Sequence, residues 1–229
     1  MKRLLVALLF LTFTVPALAG ETQLQKATNV VNEIMRAPDK GIPQDLLDKA
    51  VCVGIVPSEV KVAFIVGGTY GRGVLVCRKA GNGPWDAPSM FTLGAGSVGF
   101  QIGGKATDIV FLVMNPEGAQ KLVQDSVKVG AELSAAAGPV GRSAEGATDI
   151  QLHAEILSYS RARGLFAGLS LDGALIKQDK EDNEILYRRK ISAKDILING
   201  EVAAPQSARP LDETLAKYSP KGGQPFARA

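Results

Sequence analysis

Nucleophilic catalysis with a histidine base would have to use His153, the only imidazole in the 229 residues. Reading Asp149 to Arg163 as a strand places His153 on one face with Glu155, Leu157 and Tyr159, where a histidine hydrogen-bonded at a sheet surface accounts for it. Gly94-Ala95-Gly96-Ser97-Val98-Gly99 has the letters of a dinucleotide fingerprint. Phe100, Gln101 and Ile102 follow it, however, where a helix N-terminus would have to receive the pyrophosphate. The same segment approaches a Gly-x-Ser-x-Gly elbow, but Ala95 stands in place of the first glycine. Asp108, Asp149 and Asp172 sit singly among turn and strand residues, where capping and turn bonding are their usual work. One histidine and no Cys-x-x-Cys leave zinc without a ligand set. These residues point away from an enzyme and call for no metal and no cofactor.

The arginines offer different chemistry. On a strand, Tyr159, Arg161 and Arg163 project to one face, presenting two guanidinium forks and a phenol together. Such forks hold phosphate bidentately. Arg72, between Gly71 and Gly73, and Arg142, after Gly141, are further candidates because neighbouring backbone N–H groups can approach an anion as well. The alternative is that the arginines pair with Asp108, Asp149, Asp172 or Glu155 and fix strand ends. Cys52 and Cys77 fall at the ends of apolar runs. Two readings of them stay open: a disulfide between neighbouring strands, or two buried thiols that only pack.

The elements that must position these residues follow from apolar spacing. Leu24, Ala27, Val30, Val31, Ile34 and Met35 recur at helical period between Glu21 and Arg36, and Ala37-Pro38 ends the run. This amphipathic helix is expected to pack on the domain or to contact a membrane through Leu24, Val31, Ile34 and Met35. Glu21 and Glu33 on its polar side weaken the second reading, since helices lying on anionic membranes are basic. A short helix is expected over Gln44 to Ala50. Alternating runs then follow at Val51 to Ile55 and Val60 to Val66, and a buried strand at Thr107 to Met114. Asn115-Pro116 opens a short helix, Val127 to Ala135 alternates again, and Asp149 to Arg163 with Leu165 to Lys177 reads as a strand pair joined at Gly164. Gly67 to Gly104 holds eleven glycines in thirty-eight residues, a density that disfavours helix and suits a strongly curved sheet. The fold class expected is α+β and β-rich: a mostly antiparallel curved sheet or barrel of about eight strands with a few peripheral helices. The tail from 201 to 229 carries four of the twelve prolines and reads as peripheral, with a helical turn or two between Leu211 and Tyr218.

Lys2 and Arg3, the apolar stretch Leu4 to Val15 and the small residues Ala17-Leu18-Ala19 form a secretory signal, expected to span residues 1–19, with the mature domain over 20–200. The apolar run is short for about 30 Å of hydrocarbon, and Pro16 ends it. Gly20 in place of cysteine leaves no acyl anchor, so the chain is not read as a lipoprotein. Removing Lys2 and Arg3 lowers the formal charge from +3 to +1, too little for a nucleic-acid binder that relies on a broad basic field.

Val53 to Ser58 (VGIVPS), Phe64 to Arg78 (FIVGGTYGRGVLVCR), Gly96 to Gly104 (GSVGFQIGG), Ala136 to Arg142 (AAGPVGR) and Ser158 to Gly173 (SYSRARGLFAGLSLDG) together resemble the SYLF domain family, over roughly residues 26 to 180. The resemblance implies the family's fold and a lipid-binding activity. In eukaryotic relatives that activity is directed to phosphoinositides and sometimes accompanied by actin binding, with an N-terminal amphipathic helix and basic residues at the membrane. In bacterial relatives the domain stands nearly alone in an exported protein. The combined reading is an exported, periplasmic, non-catalytic domain that engages anionic phospholipid headgroups at a membrane surface. The alternative is an envelope structural or protein-interaction module with an envelope protein partner. A hydrolase acting on lipid or glycan is a third reading, disfavoured by the single histidine and the unpaired acids.

Overall fold

The computed structural model describes residues 18–36, 41–63, 67–97, 106–141, 153–162 and 165–220. The stretch 1–17, which carries most of the expected secretory signal, lies outside them. The described elements are α1 (Leu18–Met35), α2 (Gln44–Lys49), β1 (Cys52–Ala63), β2 (Gly67–Cys77), β3 (Ser89–Ser97), β4 (Ala106–Val113), α3 (Pro116–Leu122), β5 (Ser126–Lys128) and β6 (Ala135–Ala137). They continue with β7 (Ile156–Ala162), β8 (Leu165–Gly168), β9 (Leu175–Gln178), α4 (Lys180–Tyr187), α5 (Ala193–Leu197) and α6 (Arg209–Tyr218). The strands form one sheet in the order β5-β9-β3-β2-β1-β4-β7-β6, with β8 also paired to β7. Every pairing is antiparallel except β6 with β7. The expected α+β, β-rich class with mostly antiparallel pairing is the one observed.

Side-chain alternation splits the core into two layers. Val53, Ile55, Val74, Val76, Met90, Val110, Leu112, Leu157 and Tyr159 face α1, α2 and α6. Phe91, Leu93, Ile109, Phe111, Val113, Ile156 and Ile176 face α3, α5 and the connecting loops. Glycines on the central strands seat the large rings of the second layer. A Cβ on Gly54 would lie 2.0 Å from the ring of Phe111, and one on Gly73 would lie 2.4 Å from Phe91. The two rings meet edge to face at 5.6 Å across the space those glycines leave. Close approach is therefore one source of the glycine density.

Three expectations are corrected. The runs at Val51 and Val60 belong to one strand, β1, whose register against both neighbours shifts between Ile55 and Val60. Pro57 lies in that interval, where a residue with no N–H to give the ladder is accommodated. Val127 to Ala135 is two short strands, because Gly130 turns the chain at φ 85° and only β5 joins β9. Leu165 to Lys177 is also two strands: β8 returns along β7, but β9 crosses to pair with β3 and β5.

As far as residue 220 the tail is part of the fold. Leu211 and Leu215 of α6, one turn apart on one face, are fully buried, and α6 packs against α1, where the Asn32 amide donates to Thr214 Oγ1 at 3.4 Å. Pro210 suits the first turn because the N–H it lacks would be unpaired there. Cys52 and Cys77 face each other in register on β1 and β2 and are joined by a disulfide that closes a 25-residue separation.

Reducing that disulfide is expected to cost roughly 3 kcal/mol of stability in the chain-entropy account. Denaturant titration with and without reductant measures it, and coincident curves would refute it. A second expectation concerns Asp212, in the first turn of α6, which has a buried carboxylate oxygen with no hydrogen-bond partner among the described residues. Burial, then the charges of Asp86 and Glu213, push this carboxyl up to about 7. A folded value above the unfolded one means that the contribution is fully present below about pH 4 and lost as pH rises through about 7. Asp212→Asn should therefore flatten the fall in urea midpoint between pH 4.5 and 8. A variant with the wild-type slope would remove Asp212 from the account.

Candidate functional site

Tyr159 and Arg161 do share a face of β7, as alternation requires, but that face is turned inward. Tyr159 is 0% exposed, stacked on Phe166 at 5.3 Å. Its ring lies flat on the backbone of Gly138, where a Cβ would come within 2.1 Å. Its hydroxyl is buried with no hydrogen-bond partner among the described residues. Burial, with the charge of Asp45 adding to it, raises the phenol well above its ordinary range. A phenol in this position does not meet a headgroup.

Arg161 lies at the margin of the same core. Its Nε and Nη2 donate to Asp108 Oδ2 at 3.0 and 2.6 Å, and Nη1 pairs with Glu33 of α1. One guanidinium thus ties β7 to β4 and to the C-terminal part of α1. Strand pairing explains the first contact, since Asp108 and Arg161 are register partners. The pairing alternative raised from the sequence is the one this arginine adopts. Arg163 and Arg142 lie outside the described residues.

The helix residues proposed for membrane contact also point inward. Leu24, Val31 and Ile34 are buried in the first core layer and Met35 packs against it. The outer face of α1 carries Thr22, Gln25, Lys26, Asn29, Glu33 and Arg36. In this arrangement the stripe is core, and the polar side faces solvent. His153 precedes β7 instead of lying on it and is exposed. Glu155 bonds Lys121 Nζ and the backbone and hydroxyl of Ser134. Burial acts to raise its carboxyl, and those bonds outweigh it and hold the group low.

Arg72 leads to a different surface. Its register partners across the sheet are Thr92 on β3, then Lys177 on β9, then Ser126 on β5. The next row on the same face is Tyr70, Gly94, Leu175 and Lys128. This is the face that α1, α2 and α6 cover elsewhere, but they leave it bare at this end. Tyr70 is 56% exposed and Leu175 46%, with Lys128 and Lys177 exposed beside them. An open groove of about 670 Å³ runs between Tyr70, Thr92 and Lys177 and the first residues of α4. Its charges are interleaved. Lys180 pairs with Asp125 at 2.8 Å, and Arg72 pairs with Asp179 and Asp182. Burial opposes the charge of Arg72, but the two aspartates outweigh it and raise the guanidinium further.

Of these residues only Arg72 was singled out from the sequence. Tyr70 could have been, since it lies two positions before Arg72 and alternation puts both on one face. Leu175, Lys177 and Lys128 could not, because nothing local to them gives the register of β9 or β5. Among the described residues no three His, Cys, Asp or Glu side chains gather as a metal-ligand set, and no helix is long and apolar enough to cross a membrane.

The family model described as "Ysc84: Las17-binding protein actin regulator" matches residues 94–218. An SH3 domain-containing protein of Schizosaccharomyces pombe is 38% identical over 177 residues, 76% of this chain and 40% of its own length. The human SH3 domain-containing YSC84-like protein 1 is 32% identical over 207 residues, 88% of this chain and 60% of its own. LAS seventeen-binding protein 3 of Saccharomyces cerevisiae is 34% identical over 200 residues, 84% and 42% respectively. The chain thus spans about two fifths to three fifths of the length of these curated relatives.

Arg161→Gln removes the guanidinium that pairs with Asp108 and Glu33 at the α1–sheet junction. The expected cost is roughly 2 to 4 kcal/mol, read as a lowered urea midpoint, with faster amide exchange concentrated in α1. A variant as stable as wild type would return Arg161 to the list of ligand contacts.

Proposed function

Because the chain belongs to the Ysc84 family, whose members carry the SYLF domain, we propose that it is an exported, non-catalytic interaction domain that engages anionic phospholipid headgroups through the bare face of its sheet. The observation that carries this reading is the pair of exposed apolar side chains, Tyr70 and Leu175, one register row from Arg72 and Lys177 and beside Lys128. A tyrosine and a leucine enter the headgroup boundary, and lysine and arginine meet the phosphates there. The proposed periplasmic location is compatible with α1. Cleavage after Ala19 would trim two residues from the helix and leave Leu24 and every later core residue in place.

A protein partner is the second reading. The yeast relative's name describes a binder of another protein, and an exposed tyrosine centred on a sheet face serves a protein interface equally well. Co-sedimentation of the mature chain with phosphatidylglycerol–phosphatidylcholine vesicles, against phosphatidylcholine alone, separates the two.

Lys128→Gln with Lys177→Gln is expected to weaken vesicle binding roughly thirtyfold at low salt, at about 1 kcal/mol per charge, and the difference should shrink as salt rises. Tyr70→Ser with Leu175→Ser should weaken it at all salt concentrations. Both pairs are exposed, so melting temperatures should stay within a few degrees of wild type. Full binding by both folded variants would remove the face from the reading. Equal affinity for neutral vesicles would remove the anionic preference.

A further inference from the structure

Arg72 is engaged on one nitrogen. Nη2 lies 3.3 Å from Asp179 Oδ2 and in contact with Asp182, while Nε and Nη1 make no hydrogen bond among the described residues. Both carboxylates belong to the start of α4, where Asp179 is the N-cap and accepts from the Asp182 N–H at 3.0 Å. The two sides of the pair differ in burial: the Arg72 side chain is 42% exposed, that of Asp182 only 6%. The ion pair therefore joins a solvent-facing cation to a buried carboxylate that cannot follow it outward.

That asymmetry sets the cost of any competing ligand. A phosphate that draws the guanidinium toward solvent leaves Asp182 buried and charged, which is strongly unfavourable unless the carboxyl takes up a proton from water. Asp182 is already disposed to do so. Burial, then Asp179, push its carboxyl up, while Arg72 pulls it back. The other charged and titratable groups around the pair are Tyr70 on the Arg72 strand, Glu181 of α4 acting on Asp182, Lys177 across the register row, and Lys180 with its partner Asp125. From α1, Gln23 donates to the Arg72 backbone oxygen, which fixes the strand and leaves the guanidinium to move.

Resting on the reading of this face as an anionic-headgroup surface, we propose that Asp179 and Asp182 are a built-in competitor for the headgroup phosphate, and that Arg72 exchanges the carboxylate pair for phosphate when Asp182 is protonated. The exchange conserves charge at the guanidinium, and the proton comes from solvent. Headgroup binding by the whole domain therefore strengthens on acidification, through Arg72.

The test uses the mature chain and phosphatidylglycerol–phosphatidylcholine vesicles between pH 7.5 and pH 5. Wild type should bind about fivefold more tightly at the acidic end, the effect of one added cation. Asp179→Asn alone, which keeps the cap, leaves Asp182 on Arg72 and should keep the pH dependence. Asp182→Asn, and Asp179→Asn with Asp182→Asn, should show that tighter binding already at pH 7.5 and lose the pH dependence. Arg72→Gln in either background should abolish the gain. Glu117→Gln with Glu201→Gln, which removes the same charge from elements on the opposite layer, should gain less than half as much. A gain that survives Arg72→Gln, or that the remote pair reproduces, overturns the exchange and leaves the lipid reading standing. Binding by no form at any pH overturns both. If the double variant unfolds, Asp182→Asn and the wild-type pH series decide alone, and a flat wild-type series overturns the exchange.

Discussion

One buried guanidinium ties the end of α2, the loop after β2 and the residue after α6 together. Arg78 is 2% exposed and follows the disulfide-bonded Cys77 at the end of β2. Its Nε donates to the Ala50 carbonyl at the end of α2, Nη1 to Gly83, and Nη2 to the carbonyl and hydroxyl of Ser219 after α6. The Trp85 ring lies 3.9 Å from its guanidinium carbon, and the indole N–H donates to the same Ser219 carbonyl. Among the described residues no carboxylate bonds it directly. Burial lowers the group to about 10, and Asp48, held through the Ser219 hydroxyl, acts against that. It stays charged at neutral pH, and its neutralisation is spread over backbone carbonyls. Carbonyls at helix ends have unused lone pairs and carry partial negative charge, which makes them suitable partners for a buried cation.

The consequences run outward from there. With Ser219 fixed, α6 is laid along α1, and the two helices close the first core layer over β1, β2, β4 and β7. That cover reaches only so far. α1 reaches the Arg72 carbonyl through Gln23 and α4 starts against the Arg72 guanidinium with Asp179 and Asp182, so it is the row of Tyr70 and Leu175 that is left exposed. The candidate surface is thus the part of a two-sided sheet that the helices are too few to cover. Its polar, interleaved charge is consistent with standing in water, and its two large apolar side chains are not accounted for by packing.

The sequence motifs that carry the family resemblance have structural work in this fold. Gly138, from the AAGPVGR run, is the flat backbone on which Tyr159 of the SYSRARG run lies. Gly73, beside Arg72, is where Phe91 seats. The high density of glycine, which from the sequence suits a strongly curved sheet, is here also the imprint of rings pressed against main chain. Arg161 and Tyr159 shared a face as the alternation said. What alternation could not supply was which face, because burial depends on whether α1 lies over it.

The chain by itself determined the period of its elements: a helix whose apolar stripe begins at Leu24, strands whose odd and even residues part company, short helices opened by Asn115-Pro116, and a sheet curved by glycine. Those features rest on backbone sterics and local hydrogen bonding, which act within a few residues. Tertiary structure alone decided which residues share a surface. Tyr70 and Leu175 are 105 positions apart, Arg72 and Asp182 are 110, and Arg78 and Ser219 are 141. Each pair depends on strand register or helix docking. The free energy of such contacts comes from burying area against a distant segment, and no local pattern in the sequence records which segment that will be.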